Sequence, residues 1–526
     1  MLPAMIWSPA TNAPRRNLVI ALTLLLTLTG FGLRFYRLSN QSLWTDEISS
    51  ITTARVPLSQ IIEQSGAVNN CLPTYFLLLR AVLGDSNENI ECRARWLSAV
   101  AGALSVPLFM GVVYLWRRQW TAALLAGLLL AVNPLHLWYS QEVRAYATML
   151  FFGLLTLLAY ELARRSRKPW WWVVYSLAAL AAIALHKTAL IFPVVCALWH
   201  GWEVLRRKGR IRDLAVHAAT LAVACGVLLL KSYPPPPEYG RSSSILEIAY
   251  TFMTFVGGYS FGPSLADIQS HGAWGAVSRN LVQVGILGGV LSLLALTYGL
   301  HFRSLSRGKE TTLLVLNIGI VALAALISAF PYNIRYALSA LLAFLALVAA
   351  LVTLSQGRSL ARLAIAGVLV VALWADAQWF YNPAYRKGDS RAVAQWLVAN
   401  QAGVKSWTVL PDYLSISIEW YLQAHPEILA RKQPPAQQQT TSFPPVPDVL
   451  IIGRRHHIQQ PDKIIAAYHT SAGVVRTIPS IAGFELYVRD AAPPGGDEWL
   501  IEQDSPAQAW RLNSNRLALP SRLYSE

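Results

Sequence analysis

Long uncharged apolar runs alternate with short basic segments over the first 380 residues of the chain. Many of these runs are near the ~20 residues that a helix needs to cross a bilayer, and none shows the alternation of a membrane β-strand. The pattern therefore predicts a polytopic α-helical membrane protein. We expect eleven spans, at roughly 18–33, 94–116, 120–138, 147–163, 170–186, 188–204, 213–231, 281–302, 311–330, 337–355 and 361–377.

Two ambiguous apolar stretches decide the predicted topology. Residues 72–83 form a run of only about a dozen residues that contains Arg80, which suits an interfacial or re-entrant helix better than a span. We interpret residues 245–261 in the same way. Counting either stretch as a span would move later basic clusters out of the cytoplasm, against the positive-inside rule. Leaving both out makes residues 34–93 one external loop.

Composition agrees with a membrane class. The chain has 526 residues, of which 54% are hydrophobic and 14% charged, and its formal net charge is +16. In a soluble protein this charge would suggest nucleic acid, but here the basic residues lie in short clusters between apolar runs. Because aromatic and basic residues do not interleave along a soluble face, we expect no nucleic-acid partner.

The chain becomes more polar near Phe380, where charged residues, Gln and Pro appear. The stretch "DSRAVAQWLVANQAG" predicts an amphipathic helix, and "SWTVL", "DVLIIG" and "FELYVRD" predict strands, with "YLSISIEWYLQ" and "PDKIIAAYH" as helices between them. The sequence therefore predicts a transmembrane domain over 1–379, a small external α/β domain over 380–492 and a tail over 493–526.

The segment "SLWTDEISS" places Asp46 and Glu47 shortly after the first apolar run. Two acids in the first turn of a helix would complement its dipole, which is one interpretation. The other is catalytic, because an acid beside Trp44 at a membrane surface can be desolvated enough to act as a general base. Asp46, Glu47 and Glu142 could also share a divalent metal, although no His-rich ligand set accompanies them.

Two arginine motifs reach the same predicted face as the acidic pair. "SQEVRAY" carries Glu142 and Arg144 at the end of a span, and "PYNIRYA" carries Arg335 and Tyr336. An arginine offers planar, multidentate donors that suit a phosphate. The alternative is that Arg144 pairs with Glu142 or extends to lipid headgroups. Two arginines facing an acidic pair predict a site for an anionic headgroup whose neutral partner is deprotonated.

These motifs resemble a known family. The "DE" pair, "RWLSAVAGALSVPLFMGVVYLWRR", "NPLHLWYSQEVRAYATMLFFGLL" and "IRYAL" are similar to the bacterial members of glycosyltransferase family 39, over about residues 18–400. These enzymes belong to the GT-C class and are similar to protein O-mannosyltransferases and to the lipid A aminoarabinose transferase. The resemblance implies a GT-C-like fold in the bacterial inner membrane, with the active site facing outward.

The implied activity is that of an inverting hexosyl- or pentosyltransferase. It would move a sugar from a polyprenyl-phosphate-sugar donor to a hydroxyl of a lipid, glycan or protein acceptor. The resemblance also implies residue roles: catalysis for Asp46, Glu47 and Glu142, and contact with the donor phosphate for Arg95, Arg144, Arg335 and Tyr336.

The chain departs from the family at "NNCLPTYF", where relatives usually have His-Pro-Pro and this sequence has Cys71-Leu72-Pro73. Cys71 and Cys92 both fall in the predicted external loop, where a disulfide between them is permitted. The alternative function is a transporter or flippase of a lipid-linked sugar. Transporters place ionisable groups near mid-membrane, whereas the acids here lie in predicted external loops.

Overall fold

We analysed a computed structural model of the chain. It describes residues 13–67, 72–84, 86–166, 168–230, 245–264, 267, 274–327, 333–354, 357–434, 446–454, 458, 460–478 and 481–489. The predicted pairing of Cys71 with Cys92 and the predicted tail over 493–526 lie outside these ranges and stay predictions.

Every predicted span falls on helical segments. Eight helices are long and apolar enough to cross a membrane: Pro14–Phe35, Ile90–Arg117, Tyr146–Ser166, Lys187–Leu205, Ile211–Leu229, Leu281–Leu300, Ile334–Thr353 and Arg358–Tyr381. A ninth candidate is the pair Trp120–Ala131 and Pro134–Ser140, bent by 57°. The chain is therefore a multi-pass membrane protein.

The structure supports eight or nine spans by length and composition, within the described residues, rather than the eleven predicted. The two other predicted spans fall on the helices Trp170–Leu185 and Lys309–Ile327. The first has only 16 residues, which is short for a crossing.

The non-spanning helices agree with the predicted topology. Residues 34–93 contain the helices Thr45–Arg55, Leu58–Ala67 and Thr74–Leu83. The last has 10 residues, and Ile245–Gly257 has 13, so neither is long enough to cross as a helix.

Basic clusters that are far apart in sequence meet at one end of the bundle. Glu161 is fully buried and pairs with Lys309 and with Arg164, the latter at 2.9 Å. Arg117 pairs with Glu310, and Arg164 also reaches Glu203 at 2.9 Å. Since Tyr146 lies about 20 Å away at the other end of the helix that carries Glu161, the motifs around Asp46 occupy the opposite end of the bundle. This separation agrees with a topology in which the basic clusters share one side of the membrane.

The C-terminal part contains a four-stranded mixed sheet. Its strands are β1 (Trp407–Leu410), β2 (Val449–Gly453), β3 (Val475–Ile478) and β4 (Phe484–Arg489), in the order β1-β2-β4-β3. β1 and β2 are parallel, with Trp407 opposite Val449, and the other two pairs are antiparallel. The prediction included β1, β2 and β4 and missed β3. The helices in this region are Ser390–Ala399, Ser415–Leu422, Pro426–Leu429 and Pro461–Ala472.

Strand β2 is buried on both faces. Its residues alternate between two apolar clusters, with Ile451 on the side of Trp396 and Ile452 on the side of Tyr468. A strand covered on both faces has no polar positions, which explains the uninterrupted apolar run "VLII".

The loop after the first span holds the C-terminal region in place. Arg391 lies 3.2 Å from Glu91 and donates a hydrogen bond to the Asn40 carbonyl at 2.8 Å. The Tyr421 hydroxyl donates to Glu91 at 3.0 Å and accepts from the Leu43 N–H at 2.7 Å. These contacts fix the helices Ser390–Ala399 and Ser415–Leu422 against the loop that carries Asp46.

Candidate active site

A proline break creates the backbone that carries one wall of the site. Pro134 has no N–H, so the carbonyl of Leu130 loses its helical donor. The guanidinium of Arg34 is fully buried and replaces that donor, with hydrogen bonds to the carbonyls of Leu130 at 2.9 Å and Ala131 at 3.0 Å. Asn133 caps the next helix by accepting from the His136 N–H at 2.9 Å. The bend is therefore built by specific partners.

Gln141 fixes the segment that follows this short helix. Its side-chain amide donates to the carbonyls of Arg34 at 3.0 Å and Tyr36 at 2.9 Å. These carbonyls have no donor within the first helix because that helix ends there. Its carbonyl accepts from the Trp379 indole at 2.9 Å. Two distant parts of the chain, the end of the first helix and Trp379, thereby hold Glu142 and Arg144 at one end of the bundle.

Glu47 and Arg95 form a fully buried ion pair. Two parallel hydrogen bonds of 2.9 and 2.8 Å join the guanidinium to the carboxylate, and the Val143 N–H donates to the same carboxylate at 3.0 Å. Burial alone would raise the pKa of Glu47, but the charge and hydrogen bonds of Arg95, with the charge of Lys387, lower it to about 2. Glu47 is therefore an anion that ties the acidic helix to the loop before Arg144.

Arg95 uses its remaining donors on the backbone of the loop. Its two terminal nitrogens also donate to the carbonyls of Leu38, Gln41 and Ser42 at 2.9 to 3.0 Å. With every N–H group already bonded and the residue only 2% exposed, it has no donor left for a phosphate. In this arrangement Arg95 positions the loop, which argues against the predicted phosphate contact. Glu47 is equally enclosed, and its predicted catalytic role stays a prediction.

A cavity of about 260 Å³ opens between the spans and the C-terminal region. The membrane-embedded part and its loops contribute aromatic residues and the predicted charged residues. The C-terminal part contributes further cations. Its charged lining residues are Asp46, Glu142, Arg144, Arg335, Arg386, Lys387 and Arg454. With five cations against two carboxylates, the cavity favours an anionic ligand.

Asp46 lies between two arginines. Its carboxylate is 3.9 Å from Arg144 and 4.0 Å from Arg335, and its side chain is 35% exposed. The helix Thr45–Arg55 begins one residue before Asp46. Asp46 therefore also lies in the first turn of a helix, where an acid complements the helix dipole. Unlike Glu47, however, Asp46 faces the cavity and is not enclosed by its partners.

Glu142 and Lys387 form a second, deeper pair in the same cavity. The Lys387 ammonium lies 3.6 Å from Glu142 and 3.7 Å from Glu47, and its side chain is only 6% exposed. The ammonium also lies 5.5 Å from the ring centre of Trp44 and 5.3 Å from that of Trp138. Burial raises the pKa of Glu142, and the charge of Lys387 opposes that rise.

The sequence analysis missed Lys387, Arg386 and Arg454. A signal for the first two was present: "YRKGDS" directly follows the span Arg358–Tyr381, which the predicted topology takes to the same face as Asp46. Arg454 carries no such signal, because it follows β2 and reaches the site only through the packing of the sheet. Its guanidinium lies 5.4 Å from the ring centre of Trp44.

Tyr336 lies outside the cavity lining. Its ring stacks on His186, with 6.2 Å between the ring centres. Burial, with the charges of Arg335 and Arg144, lowers the pKa of His186 to about 3, so the imidazole is neutral at physiological pH. Tyr336 therefore lies beside Arg335 and outside the cavity lining, and its predicted phosphate contact stays a prediction.

The three predicted acids do not converge as a metal site. Glu47 is bonded to Arg95, Glu142 faces Lys387, and Asp46 faces two arginines. In the part of the chain that the structure describes, no group of three or more His, Cys, Asp or Glu residues could hold a metal ion. The acids of the cavity are instead matched with cations.

Comparison with known proteins supports the class suggested by this fold and site. Residues 85–231 match the family model described as dolichyl-phosphate-mannose-protein mannosyltransferase, which covers Arg95, Glu142 and Arg144. The matched stretch contains two of the motifs that carry the resemblance to GT-C glycosyltransferases, those beginning at Arg95 and at Asn133. No curated protein matches the sequence as a whole.

The solved structures that match this chain at low identity include two proteins. ArnT from Cupriavidus metallidurans in the apo state shares 13% identity, with 90% of this chain and 98% of that chain covered and a TM-score of 0.46. The same protein bound to undecaprenyl phosphate gives 12% identity, 92% and 100% coverage and a TM-score of 0.42. The Archaeoglobus fulgidus oligosaccharyltransferase in complex with Zn and sulfate gives 15% identity, 79% and 58% coverage and a TM-score of 0.45.

Proposed function

We propose that this protein is a glycosyltransferase that moves a sugar from a polyprenyl-phosphate carrier to an acceptor hydroxyl. The observation that carries the proposal is the position of Asp46, a cavity-facing carboxylate 3.9 Å from Arg144 and 4.0 Å from Arg335. Such a site brings a base and two phosphate-binding groups to the same reacting centre. The matched family model, whose name specifies a lipid-phosphate sugar donor, supports the same class of reaction.

Arg144 and Arg335 are the groups proposed to hold the donor phosphate. Their side chains are 19% and 30% exposed, so both reach the cavity, and the Nε of Arg335 is buried without a hydrogen-bond partner. A phosphate oxygen would satisfy that donor and replace Asp46 as the partner of both guanidinium groups.

The reaction follows from this geometry. Asp46 accepts the proton of the acceptor hydroxyl, and the resulting oxygen attacks the anomeric carbon of the donor. The bond between that carbon and the phosphate oxygen breaks, and the electron pair leaves with the polyprenyl phosphate, whose added charge the two arginines stabilise. Attack opposite to the leaving phosphate inverts the anomeric configuration. The proton is then released from Asp46 to solvent.

We propose that the cavity faces outward from the cytoplasm. The basic clusters joined through Glu161 lie at the opposite end of the bundle, and short loops rich in Lys and Arg are retained in the cytoplasm. In a bacterial cell this orientation exposes the site to acceptors outside the inner membrane. The acceptor would be a lipid, a glycan or a protein that carries a free hydroxyl.

A complementation experiment tests the function in cells. Mass spectrometry of envelope glycans and lipids is compared between a strain that lacks the protein and strains expressing the parent or Asp46→Asn. We expect one glycosylated product to disappear in the deletion strain, to return with the parent and to stay absent with Asp46→Asn.

The control is Asp412→Asn, an acid of the C-terminal region that pairs with Lys432 at 3.2 Å and does not line the cavity. It should restore the product fully. Full restoration by Asp46→Asn at equal protein level would remove Asp46 as the base. A flippase would supply substrate to another enzyme, so its product would also depend on that second enzyme.

A further inference from the structure

Five residues that line the cavity have a buried polar atom without a hydrogen-bond partner. Two of these atoms are the Nε atoms of Arg335, assigned above to the donor phosphate, and of Arg386. The other three are the Lys387 ammonium, the Trp44 indole N–H and one carboxylate oxygen of Glu142. All three residues line the same cavity, next to Asp46. A buried polar atom without a partner is costly, and a group of them in a cavity indicates where a ligand bonds.

The type of these atoms limits what that ligand can be. Two are donors and one is an acceptor, so the matching ligand must both accept and donate hydrogen bonds at adjacent positions. A hydroxyl does both, whereas a phosphodiester only accepts and an ammonium group only donates. Neighbouring hydroxyls of a sugar ring therefore match the set.

The walls of the cavity suit the apolar face of a sugar. The rings of Trp44 and Trp138 flank the Lys387 ammonium, with ring centres 5.5 and 5.3 Å from it. Trp138 is itself held in place by Trp379 and Tyr259, with ring centres 4.3 and 5.0 Å away. Fixed aromatic rings beside a donor and acceptor pair can pack against ring C–H groups while the hydroxyls bond to the charged side chains.

We infer that Lys387, Glu142 and Trp44 form the subsite for the transferred sugar and that they select a sugar without a positive charge. The inference rests on the proposed function and adds the substrate class. The Lys387 side chain is 6% exposed in a cavity lined by five cations and two carboxylates. An amino sugar would bring another ammonium group close to Lys387, and Coulomb repulsion between the two opposes its binding.

The test is a binding comparison with the full-length protein in detergent. The probes are undecaprenyl phosphates linked to glucose, mannose, galactose or arabinose, the lipid linked to 4-amino-4-deoxyarabinose, and undecaprenyl methyl phosphate. The last is a phosphodiester without a sugar, so its affinity reports the phosphate and lipid alone. We expect at least one neutral sugar lipid to bind about tenfold more tightly than the methyl ester, and the amino sugar lipid to gain nothing.

The variants separate the sugar subsite from the phosphate site. Lys387→Met should remove the advantage of the neutral sugar lipid over undecaprenyl methyl phosphate, whatever its effect on the affinity shared by both lipids. The double variant Lys387→Met with Glu142→Gln loses one charge of each sign, so it tests the same subsite if the single variant does not fold. The matched control is Lys432→Met, since that lysine pairs with Glu419 at 2.7 Å and does not line the cavity.

The outcomes distinguish the two proposals. If the methyl ester binds but no neutral sugar adds affinity, or if the amino sugar lipid binds most tightly, the subsite inference is wrong and the proposed function stands. If the sugar advantage survives in the double variant, these residues do not form the subsite. If none of the lipids binds, the proposed function fails and this inference fails with it.

Discussion

Removal of the Arg95 guanidinium should destabilise the whole site without touching the cavity. The change Arg95→Met keeps a long apolar side chain but leaves the Glu47 carboxylate buried beside a single, more distant cation, Lys387 at 3.7 Å. It also frees the backbone carbonyls of Leu38, Gln41 and Ser42. The loop that carries Asp46 thereby loses its main tie to the second span.

Two separate estimates give the size of the expected loss in unfolding free energy. A carboxyl whose pKa falls from 4.5 to about 2 is stabilised in its ionised form by about 3 kcal/mol. Removing one partner of a buried ion pair typically costs about 3–5 kcal/mol. We therefore expect Arg95→Met to lower the free energy of unfolding by about 3 kcal/mol or more, and Glu47→Gln by less, because an amide still bonds to the guanidinium.

The assay is thermal unfolding of the detergent-purified protein, for the two single variants and the double variant. The pair should show a coupling energy of about 1–3 kcal/mol, as residues in one network do. The contribution of Glu47 also has a defined pH dependence. Because its pKa is lowered on folding, the stabilisation is complete above pH 4.5 and is lost as the pH falls toward 2.

The reasoning is refuted if the variants are additive, or if Arg95→Met melts with the parent. It is also refuted if Glu47→Gln loses as much stability in acid as the parent does. The comparison variant is Arg386→Met, which changes a cation near the same site that is not tied to Glu47. Its stability should stay within about 1 kcal/mol of the parent.

Three further changes test other contacts. Gly483→Ala should destabilise the C-terminal region, because a Cβ there would lie 2.7 Å from the Cα of Gly388. Gly473 has a similar positive φ but open space around it, so Gly473→Ala carries the backbone strain without the clash. Comparing the thermal unfolding of the two variants separates the two effects. Tyr421→Phe leaves the Leu43 N–H without its partner and should lower the free energy of unfolding by about 1–3 kcal/mol. The loss should be visible as faster hydrogen exchange in the loop over residues 34–93. Arg335→Gln should weaken undecaprenyl phosphate binding by roughly 10- to 100-fold, measured by native mass spectrometry; unchanged affinity would contradict its phosphate role.

The helices and the main charged motifs were predictable because their signals are local. Apolar length identifies a span, and the positive-inside rule places Asp46, Arg144 and Arg335 on one face even though nearly 300 residues separate the first from the last. The topology depends most on residues 72–83, whose apolar run is too short for a span, and the observed helix Thr74–Leu83 has only 10 residues.

The roles of individual charges depend on packing and were not predictable in this way. Sequence alone does not show that Arg95 has all its donors occupied, or that Glu47 is enclosed while its neighbour Asp46 faces the cavity. Docking of the C-terminal region against the loop over residues 34–93 brings Arg454 to Trp44 from the end of a strand, which no local pattern indicates.

The central claim is that Asp46 is the base of a sugar transfer driven by loss of polyprenyl phosphate. Its most direct test uses the purified protein in detergent with a polyprenyl-phosphate sugar and a cell-envelope acceptor fraction. We expect the parent to form a glycosylated product and release polyprenyl phosphate in equal amount. Asp46→Asn should form no product yet bind undecaprenyl phosphate at least as tightly, since the arginines lose a competing carboxylate. Equal product from Asp46→Asn, or no glycosidic bond formed by the parent with any donor, would contradict the account.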